Sequence, residues 1–188
     1  MKYFTIVILL ISFGYFNPIL GDDDMQDIPV PMCCGDATYT ITKEYIEGAR
    51  VCEKDLPAYD SEDKLSGLKL GACFGECLGN LEKVLDGKNL VKENYFAYIK
   101  RMITDKNYDV FSKTIESSYD GCMKQVTDEI KNYDTIKCDL TFLGMLLCTS
   151  NRVLTECPPD KAVKDDFCNR SLDASKSINS TLAAIMGN

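Results

Sequence analysis

The cysteines are the residues of this chain with the most definite chemistry. Ten of them occur among 188 residues, at Cys33, Cys34, Cys52, Cys73, Cys77, Cys122, Cys138, Cys148, Cys157 and Cys168. An even number of cysteines in a chain of this size is typical of a disulfide framework. Zinc sites use closely spaced cysteine pairs or histidine partners, and this chain has no histidine and no C-x2-C pair. We therefore expect disulfides, no metal site and no cofactor.

Helix geometry restricts how some of these cysteines can pair. Cys73 and Cys77 lie four residues apart on a predicted helix, which separates their side-chain origins by about 6 Å, whereas a disulfide needs about 4 Å. Each must therefore bond a different partner. Cys148 and Cys157 point to opposite sides if their helix is continuous, so they join it to two different neighbours.

The elements that carry these cysteines are predicted to be helices. Apolar residues recur at helical spacing in most of the chain, and no segment shows the alternation typical of a strand. The expected helices cover 41–52, 67–85, 89–103, 108–123, 135–156, 160–169 and 172–186. Asp86-Gly87 is expected to cap the second helix and Asn89 to begin the third. The predicted fold class is all-α, a compact disulfide-stapled helical bundle enclosing an apolar cavity, with an extended C-terminal helical tail.

The N-terminal segment indicates export. Met1 and Lys2 precede an uncharged apolar stretch that ends at Phe16, and the helix-breaking Asn17-Pro18 follows it. This pattern predicts a signal peptide over 1–21 and a single domain over 22–188, whose C-terminal extension is 158–188. The most apolar internal run, 140–148, is too short to cross a bilayer, so no membrane insertion is expected. Sequons at Asn169 and Asn179 fit the same secreted, extracellular localisation.

The cysteine spacing resembles that of insect odorant-binding proteins. Cys52, Cys73-x3-Cys77, Cys122 and Cys148-x8-Cys157 follow the six-cysteine frame of that family. The additions Cys138, Pro158 and Cys168 resemble those of its Plus-C subgroup. The similarity extends over most of the chain after the predicted signal peptide.

The resemblance also implies a set of disulfides. Its interlocked pairs are Cys52–Cys77, Cys73–Cys148 and Cys122–Cys157. A bond between the adjacent Cys33 and Cys34 would be strained, so we expect each of them to bond one of the two cysteines that remain. The remaining two are Cys138 and Cys168, and which bonds which stays open.

The resemblance implies a carrier that binds odorants, pheromones or other small apolar molecules in an internal pocket. Bulky, adaptable side chains line such pockets, although most apolar stripes serve only to pack a core. The candidate lining residues are Phe74, Leu78, Phe96, Ile99, Met102, Phe111, Ile115, Met123, Leu143, Met145 and Leu147. Tyr95, Tyr98 and Tyr119 are candidates to offer a hydroxyl to a ligand, or to lie exposed on a polar face.

The net charge and the residue composition exclude several classes of function. A formal net charge of −8 opposes binding to nucleic acid, and the absence of histidine excludes catalysis through an imidazole base. Carboxylate pairs such as Asp165-Asp166 and Asp128-Glu129 are expected on solvated surfaces, so no enzymatic activity is predicted. The expected partners are a small hydrophobic ligand and a chemoreceptor, with the chain a monomer or a weak homodimer. The alternative is a secreted, disulfide-rich interaction protein, such as an inhibitor or a salivary or defensive factor.

Overall fold

The computed structural model of this chain describes residues 27–31, 33–35, 38–63, 65–103, 105–166, 168–169 and 173. Over these residues it contains five α-helices and two short β-hairpins, with a 3₁₀ turn at Lys131–Tyr133. The helices are α1 (Lys43–Glu53), α2 (Ser66–Leu81), α3 (Lys92–Met102), α4 (Asp105–Ile130) and α5 (Thr141–Thr155). The expectation of a helical bundle stapled by disulfides is confirmed. The predicted signal peptide and the predicted helix over 172–186 lie outside the described residues, apart from position 173.

Local sequence signals explain where several helices begin and end. The Thr42 side chain caps α1, because its Oγ1 accepts a hydrogen bond from Tyr45 N at 3.2 Å. Before α5, Asp139 Oδ1 accepts one from Thr141 N at 2.7 Å. Residues 135–140 form turns and irregular backbone, so the prediction that this helix begins at 135 was wrong. The helix predicted over 108–123 is longer than expected and covers Asp105–Ile130.

The two β-hairpins were not predicted. Strand β1 (Ile28–Pro31) pairs with β2 (Thr38–Ile41), and β3 (Leu85–Asp86) pairs with β4 (Asn89–Leu90), both antiparallel. Each strand is too short to show alternation of polar and apolar residues. Pro29 and Pro31 also argue against a strand, because proline has no backbone N–H to donate to a neighbouring strand. Prolines are accepted here because β1 is an edge strand.

The second hairpin also corrects the predicted end of α2. The helix ends at Leu81, where Val84 N donates to Gly79 O at 2.8 Å and Lys83 adopts a φ of 56°. Gly87, with a φ of 60°, forms the turn of the hairpin instead of capping a helix. Asn89 lies in β4, and the position before α3 is occupied by Val91.

Helices α2, α4 and α5 pack closely because glycines lie where they approach one another. A Cβ built on Gly75 would come within 3.2 Å of Leu143 Cβ on α5, and one on Gly144 within 2.9 Å of Val126 Cγ1 on α4. No larger side chain fits at these points without a shift of its neighbour. Helix α5 therefore lies against both α2 and α4, and α1 packs on α2.

All ten cysteines are paired. The disulfides are Cys33–Cys168, Cys34–Cys157, Cys52–Cys77, Cys73–Cys138 and Cys122–Cys148. Cys52–Cys77 agrees with the pairing implied by the resemblance, and Cys73 and Cys77 do bond different partners. Cys148 and Cys157 likewise join two different neighbours.

The other implied pairs, Cys73–Cys148 and Cys122–Cys157, were wrong. Because α5 begins only at Thr141, Cys138 lies in the preceding loop. That loop lies against α2, where Glu76 Oε2 accepts a hydrogen bond from Asp139 N at 3.0 Å. Cys73 on α2 therefore bonds Cys138. The middle of α5 lies along α4 instead, which brings Cys148 to Cys122.

The remaining two disulfides close what we call the terminal clasp, residues 33–35 with 157–163 and Cys168. Cys33 bonds Cys168, as one of the open alternatives allowed, but Cys34 bonds Cys157 instead of Cys138. Gly35 N donates to Lys161 O at 2.6 Å, and Val163 N donates to Cys33 O at 3.2 Å. The expected helix over 160–169 is wrong for its first part, because these residues pair with the N-terminal segment.

Within the residues that the structure describes, no helix is both long and apolar enough to cross a lipid bilayer.

Candidate ligand-binding core

Helix α3 supplies the centre of the main apolar core. Tyr95, Tyr98, Ile99 and Met102 recur at the spacing of one helix face, and all four are buried. Tyr95 is 0% exposed and Tyr98 is 2% exposed, so the alternative that these tyrosines lie on a polar surface was wrong. Two aromatic rings, an isoleucine and a methionine therefore form the buried face of this short helix.

The neighbouring helices face α3 with side chains at similar spacing. Helix α2 contributes Phe74 and Leu78, which are one turn apart. Val84 and Leu85, in the segment that follows α2, are also buried in the core. Helix α4 contributes Phe111, Ile115, Tyr119, Cys122 and Val126, and helix α5 contributes Phe142, Met145 and Val153. The core is thus built mainly by four helices that follow one another along the chain.

The Phe142 ring of α5 contacts two tyrosine rings of α3. Its ring contacts Tyr98 edge to face, with centroids 5.3 Å apart, and Tyr95 in the same manner at 6.4 Å. Tyr95 also lies 5.7 Å from Tyr119. Aromatic rings favour such tilted and edge-to-face pairs, so the contacts of Phe142 stabilise the packing of α5 against α3.

The Tyr95 hydroxyl forms a small polar network within this apolar surrounding. It lies 2.7 Å from Thr149 Oγ1 and 3.2 Å from the carbonyl oxygen of Met145. Thr149 Oγ1 in turn donates to the same carbonyl at 2.8 Å. Burial raises the pKa of Tyr95 well above its usual value, so its hydroxyl stays protonated at physiological pH and remains a donor.

A second pair of tyrosine hydroxyls lies between β2 and α3. Tyr39 and Tyr98 are hydrogen-bonded to each other, and burial raises the pKa of both well above the usual value. Tyr39 also lies next to Ile103 through an isolated β-bridge. The first hairpin is therefore attached to the core by a polar contact as well as by the backbone.

One edge of the core reaches the surface beside Lys92. The Lys92 ammonium lies 4.5 Å from the centroid of the Tyr119 ring and 6.0 Å from that of Phe96. It also forms an ion pair with Asp120 at 3.0 Å. A cation over an aromatic face is attracted by the ring, so Lys92 covers this edge.

Nine of the eleven predicted lining residues lie in or against this main core. Phe74, Leu78, Ile99, Met102, Phe111, Ile115 and Met145 are buried members, and Phe96 and Met123 are half-buried beside them. Leu143 packs instead in a smaller cluster with Ala72, Ile136 and Leu140 between α2 and α5. Leu147 is half-buried and belongs to neither cluster. Their contact with a ligand stays a prediction.

The sequence reasoning missed several residues of this core. Phe142 and Val153 lie on the same face of α5 as Met145 and could have been found from their spacing. Thr149 shares that face, four residues after Met145, but its hydroxyl gives no apolar signal. Tyr39 lies on a strand that was not predicted.

The carboxylate pairs named from the sequence lie on the surface. Asp128 is exposed and forms ion pairs with Lys124 and Lys131, whose hydrogen bonds lower its pKa to about 2. It borders a shallow groove between Gly121 on α4 and Asn132 in the following 3₁₀ turn. Asp165 is exposed and its Oδ1 accepts a hydrogen bond from Cys168 N at 2.7 Å. These acids fulfil structural roles at the surface.

Over the described residues, no group of three or more histidine, cysteine, aspartate or glutamate side chains could hold a metal ion. No protein-family model, no curated protein and no solved structure matches this chain.

Proposed function

We propose that this protein is a secreted carrier that binds small hydrophobic molecules, such as odorants, pheromones or other apolar semiochemicals, and solubilises them in an aqueous secretion. The observation that carries the proposal is the composition of the main core. Four helices bring together tyrosine, phenylalanine, methionine and aliphatic side chains, and the polar groups among them are hydroxyls. Apolar binding sites in proteins have this composition.

The core favours neutral ligands. Among the described residues, the buried polar side chains outside the tyrosines are Ser66, Thr141 and Thr149, and no lysine, arginine, aspartate or glutamate is buried. A charged ligand group would lose its hydration without gaining an opposite charge. The ligand class is therefore an uncharged, mostly apolar molecule.

Methionines make the core adaptable. Met102 and Met145 are buried on facing helices, and Met123 lies half-buried beside them. The unbranched thioether side chain can change shape at low cost, so such a core can make room for ligands of different outline. The disulfides keep the surrounding helices attached while the side chains rearrange.

The five disulfides also support export. Disulfides form and persist in oxidising compartments, and all ten cysteines are used in them. Together with the signal peptide predicted over 1–21, they favour a secreted protein that reaches an extracellular fluid. A chemoreceptor would then be the partner that receives the ligand.

A dye-displacement assay tests the carrier function. The chain lacks tryptophan, so the environment-sensitive apolar dye N-phenyl-1-naphthylamine must report occupancy. We expect micromolar dye binding and displacement by neutral terpenoids, aromatic esters or long-chain alcohols. If the folded protein takes up neither the dye nor any member of such a panel, the carrier function is wrong and the secreted interaction protein becomes the better hypothesis.

Two matched substitutions locate the binding. Met145→Phe adds volume inside the core and should weaken dye binding, whereas Val51→Phe adds the same ring at a position that is 50% exposed and should not. Circular dichroism of both variants verifies that they are folded. Equal dye binding by the two variants would place the dye outside the core.

A further inference from the structure

Tyr59 differs from the other tyrosines in its exposure. Of the ten tyrosines, seven have side chains that the structure describes, and Tyr59 alone among these seven is exposed, at 68%. It lies in the loop between α1 and α2, in the stretch 56–60 that forms neither helix nor strand. Exposed irregular loops are where enzymes that modify proteins gain access to a side chain.

The residues around Tyr59 are strongly acidic. Asp55, Asp60, Glu62 and Asp63 lie within four positions of it, and no lysine or arginine does. Asp55, Asp60 and Glu62 are exposed. An enzyme that accepts this tyrosine must therefore present a positively charged surface around its acceptor pocket.

The loop is held in place by its own polar contacts. Asp60 N donates to Ser66 Oγ at 2.8 Å, and Glu62 N donates to Asp60 Oδ1 at 2.9 Å. Asp63 Oδ2 lies 2.6 Å from Lys69 Nζ, and this hydrogen bond lowers the pKa of Asp63. Asp63 is thus paired with Lys69, whereas Asp60 and Glu62 lie exposed beside Tyr59.

We propose that Tyr59 is a tyrosine sulfation site. The inference goes beyond the carrier function and rests only on its export component, because tyrosine sulfation takes place in the secretory pathway. The donor class is a 3′-phosphoadenylyl sulfate, whose own negative charge requires the same basic active site that would hold the acidic loop. Tyr59 is exposed, lies on irregular backbone and has acidic neighbours on both sides.

The transfer is balanced without any oxidant. The phenolic oxygen of Tyr59 attacks the sulfur of the donor and forms a new S–O bond. The S–O bond to the donor phosphate breaks, and adenosine 3′,5′-bisphosphate leaves. The phenolic proton passes to a base of the transferase. The product is a sulfate ester that adds a lasting negative charge to an acidic loop, which suits recognition by a basic partner.

Secretion of the full chain from cultured animal cells tests the site. Intact-mass measurement should show one added SO₃ on protein from the medium, absent when chlorate blocks synthesis of the donor. Tyr59→Phe should abolish the addition, whereas Tyr133→Phe should retain it, because Tyr133 is half-buried and follows Lys131 by two residues. The double substitution Asp60→Asn and Glu62→Gln should reduce the addition several-fold. The amide oxygen introduced at position 60 can still accept the hydrogen bond from the backbone N of residue 62.

The outcomes separate this proposal from the carrier function. Secreted protein without the SO₃ overturns the sulfation site and leaves the dye assay unaffected. A group of nearly the same mass that a phosphatase removes is phosphate, and also overturns it. If the chain stays inside the cells, its export is wrong. The purified folded chain is then offered to a tyrosylprotein sulfotransferase with labelled donor, where label on Tyr59 supports the site and no label overturns it.

Discussion

The main core and the terminal clasp both contain disulfides and meet at Cys34, which is buried in the core, but they differ in how much apolar side-chain burial supports them. In the core, Cys122–Cys148 joins α4 to α5, and the same two helices bury Val126, Phe142 and Met145 between themselves and their neighbours. Burial of large apolar side chains already stabilises this contact by several kcal/mol, at about 1.5–3 kcal/mol for each fully buried residue. The disulfide reinforces an interface that packing has made.

In the terminal clasp, little apolar burial is available. Cys34 and Cys168 are buried, while Pro158 and Lys161 on the same segment are exposed. A few backbone hydrogen bonds and two disulfides hold the segment in place, and each hydrogen bond adds only about 1 kcal/mol net. Disulfides therefore contribute most to stability where few apolar side chains are buried, as they do in small secreted domains.

Removal of the Phe142 ring should have the largest effect on the core. Phe142→Ala deletes a side chain that is 0% exposed and contacts two tyrosine rings, so it should lower the free energy of unfolding by about 3–5 kcal/mol. Urea denaturation followed by circular dichroism measures this. A loss below about 1 kcal/mol would mean that the disulfides, and not packing, hold the core.

Opening the clasp should cost less and act locally. With Cys33→Ser and Cys168→Ser together, Cys34–Cys157 still joins the two ends, so the loop lost is only the stretch from 157 to 168. Loop entropy then limits the destabilisation to about 3 kcal/mol. Hydrogen exchange should quicken at Gly35 and Val163 while Ile99 stays protected. Equal loss of protection in both regions would show that the clasp and the core unfold as one unit.

A pair of glycine substitutions sharpens the comparison within the helices. Gly144→Ala places a methyl group 2.9 Å from Val126 Cγ1, so it should destabilise the α4–α5 contact by about 1–3 kcal/mol. Gly121→Ala on α4 meets no atom within 4 Å and should stabilise the helix by about 0.5–1 kcal/mol. Thermal unfolding of both variants measures the difference. Similar melting temperatures would contradict the close approach of the two helices.

Alkaline pH should weaken the core gradually. Burial raises the pKa of Tyr39, Tyr95 and Tyr98 above the unfolded value of 10.0, so the folded state keeps protons that the unfolded state loses. The stability that these groups contribute is complete below pH 10.0 and falls above it, by about 1.4 kcal/mol per pH unit for each tyrosine. Tyrosinate absorbance of these residues should therefore rise together with unfolding. Their ionisation in the intact fold would contradict their burial.

Much of the fold could be predicted because its signals are local. The stripes that predicted α2 and α3 depend on side chains three and four residues apart, and they identified Phe74, Leu78, Ile99 and Met102 as inward-facing. The start of α5 was missed because residues 135–140 contain apolar side chains at Ile136 and Leu140 but form turns and irregular backbone before the helix begins at Thr141.

The disulfides and the polar centre of the core could not be predicted in the same way. The choice between Cys138 and Cys148 as the partner of Cys73 depends on which segment of the chain reaches α2, and that is a contact across 65 residues of sequence. The bond between Tyr95 and Thr149 likewise joins two helices whose mutual position no local pattern encodes. Spacing identified many of the buried residues, but not their partners.

The disulfide Cys52–Cys77 has a consequence for proteolysis. It joins the last turn of α1 to α2 and so brackets the exposed loop that carries Tyr59. A protease that cuts this loop leaves two polypeptides that remain linked, because Cys33–Cys168 and Cys34–Cys157 also span the cut. The nicked protein would run as one band on a gel without reductant and as two bands with it. This exposed loop can thus be severed while the five described helices stay in one covalently linked molecule.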